Sequence, residues 1–132
     1  MIMKKTLSHI SSILAIVFVI FVFYHVTNRS KKMRELMRTI PQQEISGVVY
    51  SVSQSRGTIK MVLKNRLKAP YFFRSTRNYG LNPYDLNDFM LPGDSVFKSS
   101  NSRELVIFRK DMRYYFVLEE DINRPATNSA GN

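Results

Sequence analysis

Between Ile45 and Tyr84 the chain carries no acidic residue, while Arg56, Lys60, Lys64, Arg66, Lys68, Arg74 and Arg77 are all basic. Tyr71, Phe72, Phe73, Tyr79 and Tyr84 are interleaved with these cations or close to them. Cations beside aromatic rings suit contact with an anionic backbone and stacking against flat rings, the pairing that single-stranded nucleic acid uses. The same composition serves anionic lipid, an acidic glycan or an acidic protein partner equally well. Those seven basic residues are the candidate ligand-binding face.

Residues able to run covalent or acid–base chemistry are much thinner. Asp85 and Asp88 stand three apart with no histidine near them, which fits capping or solvent-facing carboxylates. Asp94 follows Gly93, where a short acidic side chain bonds the backbone of a turn. Glu119, Glu120 and Asp121 form an acidic strand end, read as solvated. His9 and His25 lie 16 residues apart, about 24 Å along a helix, too far to share a metal. There is no cysteine, and the sequence has neither a nucleophile elbow nor a glycine-rich phosphate loop. The expectation is a chain that is not an enzyme, with no cofactor and no metal.

The elements that must hold the basic face are β-strands. Glu44–Gln54 sets Val48, Tyr50 and Val52 on one face and Ile45, Gly47 and Val49 on the other. Ser55-Arg56-Gly57 reads as a turn, and Thr58–Lys64 alternates with Ile59, Met61 and Leu63 inward. Ala69–Ser75 is a third, aromatic strand, in which either Tyr71 and Phe73, or Phe72, must point into the core. Thr76–Asn82 reads as polar loop. Asn82 and Pro83 then open a short helix over Tyr84–Met90. Strands at Ser95–Ser99, Glu104–Arg109 and Arg113–Glu120 complete the set, with Val96, Leu105, Ile107, Tyr114, Phe116 and Leu118 inward. Residues 121–132 are expected to be a disordered tail.

Ahead of this domain comes a segment of another kind. Leu7–Val26 is apolar through Ile13–Phe23 and is about the ~20 residues a helix needs to cross a bilayer. Residues 1–6 form a basic head containing Lys4 and Lys5. A cleaved signal sequence is the rival reading, but Tyr24-His25-Val26-Thr27 lacks the small residues a cleavage site requires. Residues 27–43 read as a basic helical stalk and hinge, with Met33, Leu36, Met37 and Ile40 on one face and Pro41 stopping the helix. Basic residues flank both ends of the span, and the side of the membrane that receives the domain is left open. Six of the ten net positive charges fall in residues 1–43, where they meet lipid headgroups.

Three strands, a short helix and further strands follow the order of an OB-type barrel. The chain is thus expected to be mainly β: a transmembrane helix and stalk, then a five- to six-stranded OB-like barrel over 44–120 with one short helix. The segments Ile45-Ser46-Gly47-Val48-Val49, Gly93-Asp94-Ser95-Val96-Phe97-Lys98, Asn101-Ser102 and Leu105-Val106-Ile107-Phe108-Arg109 resemble those of small membrane-anchored, OB-like domains of bacterial envelope proteins. The resemblance implies a barrel exposed at a membrane and brings no catalytic residue with it. The function expected is a single-pass, membrane-anchored binding or assembly module whose partners are the bilayer and an anionic lipid, envelope protein or envelope polymer. The alternative is a barrel on the cytoplasmic face that binds single-stranded nucleic acid.

Overall fold

The computed structural model describes residues 2–126 and divides into two compact units, one ending at Glu35 and the other beginning at Leu36. The first unit is the helix α1, which runs unbroken over Ile2–Thr39 and so crosses the boundary. From Leu7 to Val26 every residue is exposed, Leu14 and Phe18 each to 67%. A helix apolar on all sides and uncovered by protein is placed to meet hydrocarbon rather than water. It is long and apolar enough to span a membrane. Several of its hydroxyls bond the helix itself: Ser12 donates to the Ser8 carbonyl at 3.0 Å and Thr27 to that of Phe23 at 2.7 Å. Such bonds give these hydroxyl protons a partner other than water. Pro41 lacks the N–H to extend an α-helix, and the chain tightens into a 3-10 turn at Ile40–Gln42.

The second unit is built on a six-stranded antiparallel sheet. Its strands are β1 (Ile45–Ser55), β2 (Thr58–Leu63), β3 (Tyr71–Arg74), β5 (Ser95–Lys98), β6 (Glu104–Arg109) and β7 (Met112–Val117), in the spatial order β3-β2-β1-β5-β6-β7. Two short strands, β4 (Arg77–Asn78) and β8 (Asp121–Ile122), form a separate parallel pair. The helix α2 is one turn, Leu86–Phe89.

The long strand β1 serves both halves of the sheet. Ile45–Val48 pairs with β5, and Val49–Ser55 pairs with β2 across a register shift between Val49 and Ser51. That shift re-aims the strand, as an extra residue in one strand of a pair does. The turn into β2 is two residues long, Arg56 and Gly57, with φ of 51° and 77°. Positive φ at both positions matches the twist of the flanking strands and favours a tight hairpin.

One core lies under this sheet. Ile45, Val49, Ile59, Met61, Leu63, Phe73, Leu105, Ile107 and Phe116 are buried, as period-two alternation requires. The choice left open for the third strand resolves in favour of Tyr71 and Phe73, at 4% and 0% exposure, with Phe72 on the opposite face. Ile40, just beyond α1, is buried in the same cluster.

Three expectations need correction. The sheet is not closed into a barrel: β3 and β7 are its two edges, and no ladder joins them. With its long helix, the chain as a whole is mixed helix and sheet. Secondly, the segment read as polar loop at Thr76–Asn82 is buried at Thr76 and Asn78. Thr76 Oγ1 accepts from the Glu119 backbone N–H at 2.8 Å, Asn78 Nδ2 donates to the Tyr115 carbonyl at 2.9 Å, and Arg77 N–H donates to the Glu120 carbonyl at 3.0 Å. These bonds tie the segment after β3 to β7 and its extension. They use side chains and a short parallel pair where a barrel would use a continuous ladder. Thirdly, the disordered tail expected from Asp121 does not begin there, because Asp121–Ile122 is β8, paired to Arg77–Asn78. Residues 127–132 of that expected tail lie outside the described residues.

Candidate functional site

Strand register decides which of the seven candidate cations share a surface. Lys60 faces outward on β2, directly opposite Phe72 of β3 and Ser53 of β1. Thr58 lies opposite Arg74, so Arg74 shares that outer face. Lys64 continues the parity of Lys60 just past the strand, and Arg56 sits in the turn at the other end. The cations run along the strand as a stripe, Lys60 and Lys64 about 13 Å apart at ~3.3 Å per residue with the buried Val62 between them. Phe72 is half-buried within it, a ring beside two charges.

The loop from β2 to β3 carries the next group. It is held by its own backbone: Arg66 N–H donates to the Leu63 carbonyl at 3.0 Å and Ala69 N–H to that of Arg66 at 3.2 Å. Asn65 Nδ2 reaches the Ser46 carbonyl at 3.4 Å. A methyl group on Gly47 would lie 2.8 Å from Asn65 Oδ1, so glycine is what allows this loop to close on β1. Arg66 places its guanidinium 4.5 Å from the centre of the Tyr71 ring and hydrogen-bonds its hydroxyl. Lys64, Arg66, Leu67 and Lys68 are all exposed.

Arg77 does not belong to this face. Its Nε donates to Asp85 Oδ1 at 2.8 Å, and Nη1 lies 3.6 Å from Asp121 Oδ2. The bond to Asp85, reinforced by both carboxylates, holds the guanidinium pKa above its usual range. Asp85, which precedes α2, makes no capping bond and is committed to Arg77 instead. Of the seven candidates, the structure therefore gathers Arg56, Lys60, Lys64, Arg66, Lys68 and Arg74 along one hairpin and its loop. Among the described residues, none of these six forms an ion pair. Five of them lie on β2, β3 and their loop and Arg56 in the turn before β2, while the Arg74 backbone N–H donates to Glu119 Oε1 at 3.3 Å.

Two charged groups that sequence reasoning did not single out are structural. Lys98 is fully buried, and its Nζ donates to the carbonyls of Pro41, Ser99 and Ser102 at 3.2, 3.0 and 2.8 Å. Burial lowers its pKa. It fastens the turn after α1 to the loop between β5 and β6. Arg109 forms a two-pronged pair with Asp94, at 2.9 and 2.7 Å, and donates to the Phe89 carbonyl at 2.6 Å while stacking over the Phe89 ring. The bonded Asp94 carboxylate raises the Arg109 pKa. Leu91 N–H donates to the same carboxylate, so Asp94 locks the end of α2 to β6. The alternation of β5 signals Lys98, two residues after the inward Val96, but its charge argued against an inward place.

The outer face of β5, β6 and β7 was also not legible as a surface. Register aligns Phe97 with Val106 and Val106 with Tyr115 across three strands, and Phe108 lies one step along. Phe97, Phe108 and Tyr115 are 42%, 43% and 45% exposed. The outer face of the sheet thus carries cations around β2–β3 and aromatic rings on β5–β7. Comparison of the chain with protein-family models, curated proteins and solved structures gives no match.

Proposed function

We propose that this chain is a single-pass membrane protein whose β domain is a non-enzymatic binding or assembly module, docking an anionic partner on the outer face of the β2–β3 hairpin. The observation that carries the reading is the set of six exposed cations without an acidic neighbour in sequence or an ion pair in the fold. Structural cations in this domain look different: Arg77, Arg109 and Lys98 are each satisfied by carboxylates or carbonyls. A row of exposed cations without ion-pair partners, Arg66 alone being held on the Tyr71 ring, is suited to meeting charge that comes from outside.

Replacing Lys60, Lys64 and Arg74 by Glu in the full-length chain tests this. Co-purification and cross-linking of bound components, at low and high salt, should show the associations of the native chain weakened by salt and lost on charge reversal. Associations unchanged by the triple substitution overturn the proposal. Phe72 beside Lys60 favours a second reading, single-stranded nucleic acid bound on the cytoplasmic face. In that case log affinity falls linearly with log salt at a slope of about −0.7 per phosphate contacted, and Phe72→Ala weakens binding.

A further inference from the structure

Leu67 is an apolar side chain set among cations. It is 57% exposed in the loop between β2 and β3, with Lys64 and Arg66 before it and Lys68 after it. The loop is not slack. Two backbone bonds, the Asn65 contact with Ser46 and the Arg66 contact with Tyr71 fix its course, so the exposure of Leu67 is built in.

We infer that this loop is a lipid-contact site: Lys64, Arg66 and Lys68 engage anionic headgroups while Leu67 enters the boundary between headgroups and acyl chains. The inference rests on the proposal that the hairpin docks anions, and names the partner for its loop. Charge complementarity alone would fit any polyanion. The apolar side chain ringed by cations narrows the choice, because a lipid surface offers charge and hydrocarbon within a few ångströms of each other. A phosphate backbone or an acidic glycan gives Leu67 nothing to enter. The same chain carries a helix able to hold it at a bilayer, which keeps lipid at high effective concentration.

The chain has no cysteine, so Leu67→Cys provides a unique attachment point for an environment-sensitive fluorophore, with Asp111→Cys at the β6–β7 turn as the control. The full-length labelled protein is reconstituted into vesicles of phosphatidylcholine alone or mixed with phosphatidylglycerol, each containing lipids that bear a quencher at headgroup depth. The expected result is loss of fluorescence at position 67 in the anionic vesicles only, reversed by Lys64→Glu with Lys68→Glu, and no loss at position 111. A label at position 67 that stays as open to aqueous iodide in anionic as in neutral vesicles overturns the inference. So does equal quenching in both lipids, or shielding from iodide that appears only when a single-stranded oligonucleotide is added. If the loop label never meets lipid while charge reversal of Lys60, Lys64 and Arg74 still abolishes association, the lipid assignment fails and the docking face stands. If neither experiment shows an effect, both fall.

Discussion

A lysine ammonium with no carboxylate partner is an unusual thing to bury, and Lys98 shows how a fold tolerates one. Three carbonyls from two separate loops converge on Nζ, so each proton of the ammonium has an acceptor. Lys98→Met keeps the bulk of the side chain and strands Pro41, Ser99 and Ser102 without their donor. The expected cost is about 2 kcal/mol, read as a lower midpoint in denaturant unfolding. A pH dependence accompanies it. Burial places the native pKa of Lys98 below that of the unfolded chain, so between the two values the unfolded state holds more protons. Stability therefore rises with pH across the window just below the usual lysine pKa, and the Lys98→Met chain loses that rise. Equal slopes for the two chains would contradict the assignment.

At the scale of elements, the hairpin β2–β3 and its loop owe their shape to β1. Gly47 lets Asn65 close over the strand, and the Gly47→Ala side chain would meet Asn65 Oδ1 at 2.8 Å and Leu63 at 3.1 Å. The expected result is destabilisation of about 1–3 kcal/mol, with faster amide hydrogen exchange in the loop from Asn65 to Ala69 before the rest of the domain. Uniform loss of protection would show that the loop is not held this way. Much of this architecture was legible beforehand. The inward places of Ile59, Met61, Leu63, Leu105 and Ile107 follow from alternation, but Val62 and Val106 on the opposite parity are buried as well, which alternation does not announce. Thr76, Asn78 and Asp121 were not legible. Thr76 and Asn78 are buried against partners 37 or more residues away, and Asp121 is paired to the equally remote Arg77, which no local pattern announces. Arg77 was miscast for the same reason, since its carboxylates lie outside the acid-free stretch that singled it out. The other six candidates were legible as a group because the hairpin that carries them is contiguous in sequence.

For the whole molecule, the two units divide the work by solvent. α1 presents apolar side chains in every direction from Leu7 to Val26, while the β domain gathers a buried apolar core beneath one sheet. A charge at the centre of a membrane helix costs about 2.5–3.5 kcal/mol on the insertion scale. Val17→Arg with Phe21→Arg should therefore shift the protein from the membrane pellet into the supernatant after alkaline carbonate extraction, where the native chain stays in the pellet. A photo-cross-linking side chain at Phe72, compared with the same probe at Tyr115, reads out the docking face. Adducts are expected from position 72 that disappear when Lys60 and Arg74 are replaced by Glu, with the Tyr115 probe unaffected by those replacements. Adducts from position 115 alone, or adducts at position 72 that survive the loss of both cations, would contradict it.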